Sequence, residues 1–221
     1  MNDEKASAVQ NEDREIKDNN DDDKSSILDK SNADNNGPNE HKNKTTEDNN
    51  NNEEEDPATF ERIRNRLDEM NIDYKLTTHK AVRTSQEAAD IRGVSLKSGA
   101  KAMLLKNCDK KKKSPMSVYH LAVLSANKRF NSKEFKKNLK IKNIRFASHD
   151  EVIKYTGCIT GAVPPFGSLF TEPVPTYVDA SLSRNEHINF NCGLRTHSIQ
   201  ISYADYVTVE GITNTYDFSS N

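Results

Sequence analysis

The sequence predicts an α+β domain, a mixed β-sheet with peripheral helices, preceded by a disordered tail. Three observations carry this prediction. Charge and aromatic content change abruptly at residue 56: residues 1–56 hold 7 Lys+Arg against 18 Asp+Glu and no aromatic, whereas residues 57–221 hold 25 against 16 and all 15 aromatics. Beyond that boundary, apolar residues recur at helical spacing in some short stretches and alternate in others, without a regular βα repeat. Helix-start and helix-stop signals separate those stretches.

Taken in order, Asp56-Pro57 is a cap followed by proline at the first helical position. Phe60, Ile63, Leu67 and Met70 then share one face, which predicts an amphipathic helix over 57–70. Ile72, Tyr74 and Leu76 alternate in a strand over 72–77. Thr84 to Glu87 has the spacing of a capping box and Gly93 is a stop, giving a helix over 85–92. Strands follow at 101–106 and 117–124, joined by a lysine-rich tip at 109–114. Ser132 is read as the cap of a helix through Leu139, and 144–147 as a short strand. Ser148 to Glu151 is a second capping box, with Gly157 as its stop. Gly161 to Gly167, with two prolines, is a rigid turn that excludes helix. Short strands near 176–179, 187–190 and 197–201 precede a last turn at 203–206.

Composition excludes several classes. The first 56 residues, with 13 Asn, 18 acids and 8 hydrophobic residues, cannot offset chain entropy of about 1–2 kcal/mol per residue by apolar burial. The start is acidic and lacks an apolar stretch, unlike a secretory signal, and is too rich in acids for a transit peptide. No run reaches the length of a membrane-spanning helix, so no membrane partner is expected. The domain from 57 onward suits a single core. Cys108, Cys158 and Cys192, an odd number without a CxxC pair, read as reduced thiols of a cytoplasmic protein, not as disulfides or zinc ligands.

Positive charge is concentrated in residues 97–145, which carry 15 Lys+Arg against Asp109 and Glu134. Lys97, Lys106, Lys128, Arg129, Lys136 and Lys137 are the candidate contacts to the phosphates of a structured RNA. The same pattern also describes a solvated lysine-rich face. The acidic tail is then either a competitor for that face or a solubilising arm.

Several segments in a fixed order carry a resemblance. They are His79 to Ala89, Gly99 to Lys106, Thr156 to Gly167, Tyr177 to Leu182 and Ile188 to Arg195. Together, over roughly residues 58–210, they resemble the YbaK family, aminoacyl-tRNA deacylases related to the editing insertion domain of prolyl-tRNA synthetases. The resemblance implies a mixed-sheet domain of YbaK type that hydrolyses the ester of mischarged tRNA, binding its aminoacylated 3′ end in trans or beside a prolyl-tRNA or other synthetase. Such editing is needed because a synthetase pocket separates side chains differing by one methylene by only about 1–3 kcal/mol.

Lys101 stands where the family has its functional lysine, before the apolar run Ala102 to Leu105. Its ammonium is expected to meet phosphate or developing negative charge. Gly161 and Gly167 match the family's loop and are expected to place backbone groups around the scissile carbonyl, with Pro165 and Phe166 beside the substrate. His79, Asn191 and Gly193 are the remaining expected substrate contacts. The resemblance implies no metal, no cofactor and no covalent intermediate, with the terminal ribose hydroxyl helping to activate water. Cys192 and the serines at 181 and 183 lack the partners of a nucleophile. Ala102 and Asn191 depart from the family pattern and lean toward the branch that implies Cys-tRNA(Pro), over the one that implies Ala-tRNA(Pro). The alternative is a non-catalytic tRNA- or synthetase-binding module of the same fold.

Overall fold

The computed structural model describes residues 55–108, 118–212 and 214–221. Helix α1, Ala58–Glu69, starts where Asp56 Oδ1 accepts the Ala58 N–H at 2.9 Å, and it buries Phe60, Ile63 and Leu67. Strand β1, Tyr74–Thr78, begins two residues later than its alternation suggests, because pairing with the C-terminal part of the chain sets its limits. Helix α2, Ser85–Arg92, is capped by Thr84 and ends at left-handed Gly93. Its capping box is incomplete: Glu87 accepts the N–H of Arg83 at 2.9 Å, one residue ahead of the cap.

Strands β2, Ala100–Asn107, and β3, Tyr119–Ser125, pair antiparallel from Ala100↔Ser125 to Lys106↔Tyr119. The tip expected at 109–114 lies outside the described residues. Strand β4, Arg129–Phe130, precedes helix α3, Ser132–Leu139. The cap of α3 is Asn131 and not the expected Ser132: Asn131 Oδ1 accepts the N–H groups of Lys133 and Glu134 at 3.1 and 3.3 Å. Strand β5, Ile144–Phe146, leads to helix α4, His149–Thr156, whose capping box is complete and whose stop is Gly157.

Residues 161–166 are non-helical, and Gly167–Leu169 forms one 3₁₀ turn. Strands β6, Thr176–Asp179, β7, His187–Asn191, and β8, His197–Ser202, follow. The expected turn at 203–206 is instead helix α5, Tyr203–Glu210. Ser202 caps it through the Asp205 N–H at 3.0 Å, and burial of Tyr206 and Val209 holds it down. Strands β9, Asn214–Tyr216, and β10, Ser219–Ser220, are too short and polar for a periodic signal.

The strands form a five-stranded sheet ordered β5-β2-β3-β6-β9, a three-stranded sheet β1-β8-β7 and a small β4-β10 ladder. The large sheet is mixed, antiparallel at β2–β3 and parallel at β3–β6 and β6–β9. Central strand β3 is buried along its whole length. Leu121 and Val123 face one core with Ile63, Leu67, Phe166, Ile188, Phe190 and Tyr206. Ala122 and Leu124 face a second with Leu105, Phe135 and Phe218. A two-residue side-chain period thus covers both faces of the sheet. The two sheets meet at a single parallel bridge, Gly99↔Asn189, and the candidate site lies there. Among the described residues no helix is long and apolar enough to cross a membrane.

Candidate active site

A small cleft of about 130 Å³ runs between α2, the start of β2, the end of β7 and the loop at Gly161. Gly99 brings the β3–β4 turn close: a Cβ there would lie 2.9 Å from the Cβ of Ala126. The walls are small, with Ala88, Ala89, Ala100, Ala102 and Val163, and the polar groups are Thr84, Ser85, Asn189 and Asn191. Among the described residues Arg83, Arg92 and Lys101 supply three cations, and no Asp, Glu, His or Cys lines the cleft.

Lys101, near the start of β2, lines this cleft. Its Nζ donates to the carbonyl of Lys128 and, at 3.4 Å, to that of Ala126, which pins the β3–β4 turn against the cleft. Partial burial depresses its ammonium below the ordinary lysine range. Gly161 lines the cleft in a left-handed conformation, φ 92°, that a side chain would strain. Asn191 reaches it: its Nδ2 donates to the Gly161 carbonyl at 2.8 Å. The other end of the same amide accepts from Arg92 Nη2.

Arg92 was not marked by the sequence, where an arginine before a helix-stopping glycine reads as a partner of the helix dipole. Its Nε donates to Ser198 Oγ at 2.8 Å, and no carboxylate among the described residues pairs with it. Burial alone lowers its guanidinium to about 10, so it remains a cation at neutral pH. His79 stands behind this brace and does not line the cleft. Its Nδ1 lies 2.8 Å from the Lys80 carbonyl, which can only accept, so that nitrogen carries the proton. Nε2, 2.5 Å from Ser198 Oγ, then accepts the serine hydroxyl when the ring is neutral. A chain of hydrogen bonds thus links His79, Ser198, Arg92 and Asn191 to Gly161.

The structure does not bring the other expected site residues to the cleft. Phe166 is fully buried, edge-on to Phe190 and Tyr206 at 5.4 and 5.3 Å. The Pro165 carbonyl accepts the Tyr206 hydroxyl at 2.8 Å. Gly167 is packed so closely that a Cβ would lie 2.5 Å from both the Val174 carbonyl and Thr176 Oγ1. Gly193 lies against the start of α1, where a Cβ would be 3.0 Å from the Phe60 nitrogen. These four residues build the core beneath the loop.

The basic residues divide as well. Lys106 bonds Glu151 at 2.7 Å and lies over the Tyr119 ring, while Arg145 grips both oxygens of Glu151 at 2.7 Å. Lys137 pairs with Glu134 at 3.5 Å, and Lys136 is half-buried on α3. Arg129 is exposed on β4, Lys97 is exposed ahead of β2, and Lys128 Nζ bonds Asn221 Oδ1. Cys158 and Cys192 are buried, with thiols pushed up to about 11 and about 12 by desolvation, and Cys108 is exposed. Among the described residues no group of three or more His, Cys, Asp or Glu side chains gathers as metal ligands would.

Mixed-sheet topology with a small cationic cleft at the junction of two sheets defines an α+β domain whose site suits an anionic ligand. Residues 79–209 match the model of the aminoacyl-tRNA editing domain. The chain belongs to that family and is an aminoacyl-tRNA hydrolase. It is 30% identical over 153 residues, 69% of this chain and 88% of the other, to the multifunctional Ser/Thr-tRNA deacylase ProXp-y of Escherichia coli strain K12. The fold is shared with the crystal structure of hypothetical protein APE2540, at TM-score 0.62 and 22% identity over 72% of this chain and 99% of that one. It is also shared with a putative trans-editing enzyme for prolyl tRNA synthetase, at TM-score 0.62 and 19% identity over 75% and 99%.

Proposed function

We propose that this chain clears tRNA bearing a small, wrongly attached amino acid, acting in trans to a synthetase as a proofreading step of translation. One observation supports this reading above others: among the described residues the cleft holds three cations and small side chains but no carboxylate, imidazole or thiol. Such a lining attracts the 3′ end of a polyanion and stabilises an oxyanion, yet offers no side-chain general base. Water activation then falls to the terminal ribose hydroxyl of the substrate. The protein contributes orientation through the Gly161 backbone and positive potential from Lys101, Arg83 and Arg92. Lys101 is the residue that meets the reacting ester.

The substrate side chain is that of Ser or Thr, as in the name of the E. coli relative. The polar groups of Thr84, Ser85 and Asn189 amid seven alanine and valine residues suit a short hydroxylated side chain. Cys- and Ala-tRNA(Pro), the substrates implied by the sequence resemblance, are the competing arms. The test charges tRNA with Ser, Thr, Cys, Ala or Pro and follows loss of the ester with and without protein. The expected result is hydrolysis of the Ser or Thr ester, reduced about 10²–10³-fold in Lys101→Ala while tRNA binding survives. A second reading has its own support: the Lys101 ammonium is already occupied by two backbone carbonyls. If no ester is cleaved while tRNA or a prolyl-tRNA synthetase is still bound, the domain is a non-catalytic binding module.

A further inference from the structure

The turn that walls the cleft at Ala126 also walls, through Asn127 and Lys128, a second groove. Its remaining polar lining includes Lys97, Ser181, Arg184 and Asn185, and among the described residues no carboxylate. We propose that this groove seats the phosphodiesters of the single-stranded 3′ end whose terminal ester lies in the cleft, with Lys97 and Arg184 as the principal contacts. The inference rests on the deacylase reading for its ligand.

Three observations support it. Lys97 and Arg184 are exposed, and neither pairs with a carboxylate among the described residues. By contrast, Lys106 and Arg145 are neutralised by Glu151, and Lys137 by Glu134. Cations already paired must break a contact to take a phosphate, so the free pair gains more.

Cleft and groove are also held in fixed relation. Lys101 Nζ ties down the Ala126 and Lys128 carbonyls of the shared turn, and Ser125 Oγ donates to the Lys97 carbonyl at 2.6 Å. A strand with its ester at Lys101 therefore finds the next cations at a set position.

A neighbouring groove, which shares Lys128, Ser181 and Arg184 with this one, carries Asp179 and Asp217 and bounds the track on that side. Asp179 spends its carboxylate internally, on the N–H groups of Ser181 and Phe218 and the hydroxyl of Ser219, at 2.9, 2.7 and 2.8 Å. It therefore shapes the groove without closing it. Arg184, nearly ninety residues from Lys97 in sequence, lies outside the basic stretch that composition marks.

The experiment compares Lys97→Gln/Arg184→Gln with the wild type on uncharged tRNA, charged tRNA and an aminoacyl-adenosine that has the ester but no phosphate. Losing two single-strand phosphate contacts lowers the slope of log K against log salt by about 1.4 and weakens tRNA binding roughly tenfold at about 0.15 M salt. The KM for charged tRNA rises in step, and the loss on aminoacyl-adenosine is smaller by that same factor. Lys136→Gln/Lys137→Gln reads out the competing track on α3. An unchanged slope in the groove variant, a larger slope change in the α3 variant, or equal losses on both ester substrates overturns the inference. The slope is measured by binding, so the groove is tested even if no ester is cleaved, and failure of the deacylase reading is seen separately.

Discussion

Asn191 is the most informative single position, because one amide joins the cleft cation Arg92 to the Gly161 loop. Asn191→Ala removes the bond to the Gly161 carbonyl and the acceptor for Arg92. A neutral hydrogen bond contributes about 1 kcal/mol and a charged one about 1.5–3 kcal/mol. Water reaching both groups from the cleft returns part of this, which leaves a net destabilisation of about 2 kcal/mol. For a domain of this size that lowers Tm by about 4–8 °C. The effect on chemistry is larger, since a displacement of about 1 Å at the loop costs on the order of 10²-fold in rate. Asn191→Asp separates the two roles: it keeps an acceptor for Arg92 but loses the donor to Gly161. The expected outcome is recovered thermal stability with single-turnover deacylation still reduced on the order of 10²-fold. Full activity in Asn191→Asp would refute the assignment of Asn191 as the group that positions Gly161.

Three further outcomes follow from the geometry. Gly167→Ala, which forces a Cβ within 2.5 Å of the Val174 carbonyl, should destabilise by about 1–3 kcal/mol in urea unfolding; a neutral result would mean the loop can shift. Burial holds the Cys158 and Cys192 thiols protonated at neutral pH, so a thiol reagent should titrate Cys108 alone in the native protein and all three cysteines after unfolding. Arg145 first, and then Lys106, the Ser148 N–H and the Tyr119 hydroxyl, hold the Glu151 carboxyl well below its ordinary value of 4.5. A lowered folded-state pKa contributes stability that is complete above 4.5 and fades as pH falls below it. The stability difference between wild type and Glu151→Gln should therefore be constant near neutrality and shrink below pH 4.5. A difference that grows on acidification would contradict this network.

Much of the local architecture was legible because its causes are local. The second capping box is complete because Ser148 and Glu151 are three residues apart and need no distant partner. Helix α1 follows its apolar spacing, and the glycine stops at 93 and 157 fall where expected. Helix α5 was underestimated because Tyr206 is anchored by the Pro165 carbonyl, 41 positions earlier in the chain. The cap of α3 shifted to Asn131 because adjacent Asn and Ser are equally able to cap.

By itself the sequence determined the change in character at residue 56, most of the helices and strands from α1 to β8, and the family. These depend on residue order and short-range spacing. Tertiary structure decided which residues of the matched loops face the cleft and which face the core: Gly161 lines the site, whereas Phe166 and Gly167 pack beneath it. It also decided which charges remain available. Glu151 neutralises Lys106 from 45 positions away, while Arg92 keeps its charge in the cleft on the neutral partners Ser198 and Asn191. Burial and ion pairing depend on where the fold brings distant residues together, and spacing along the chain carries no record of that.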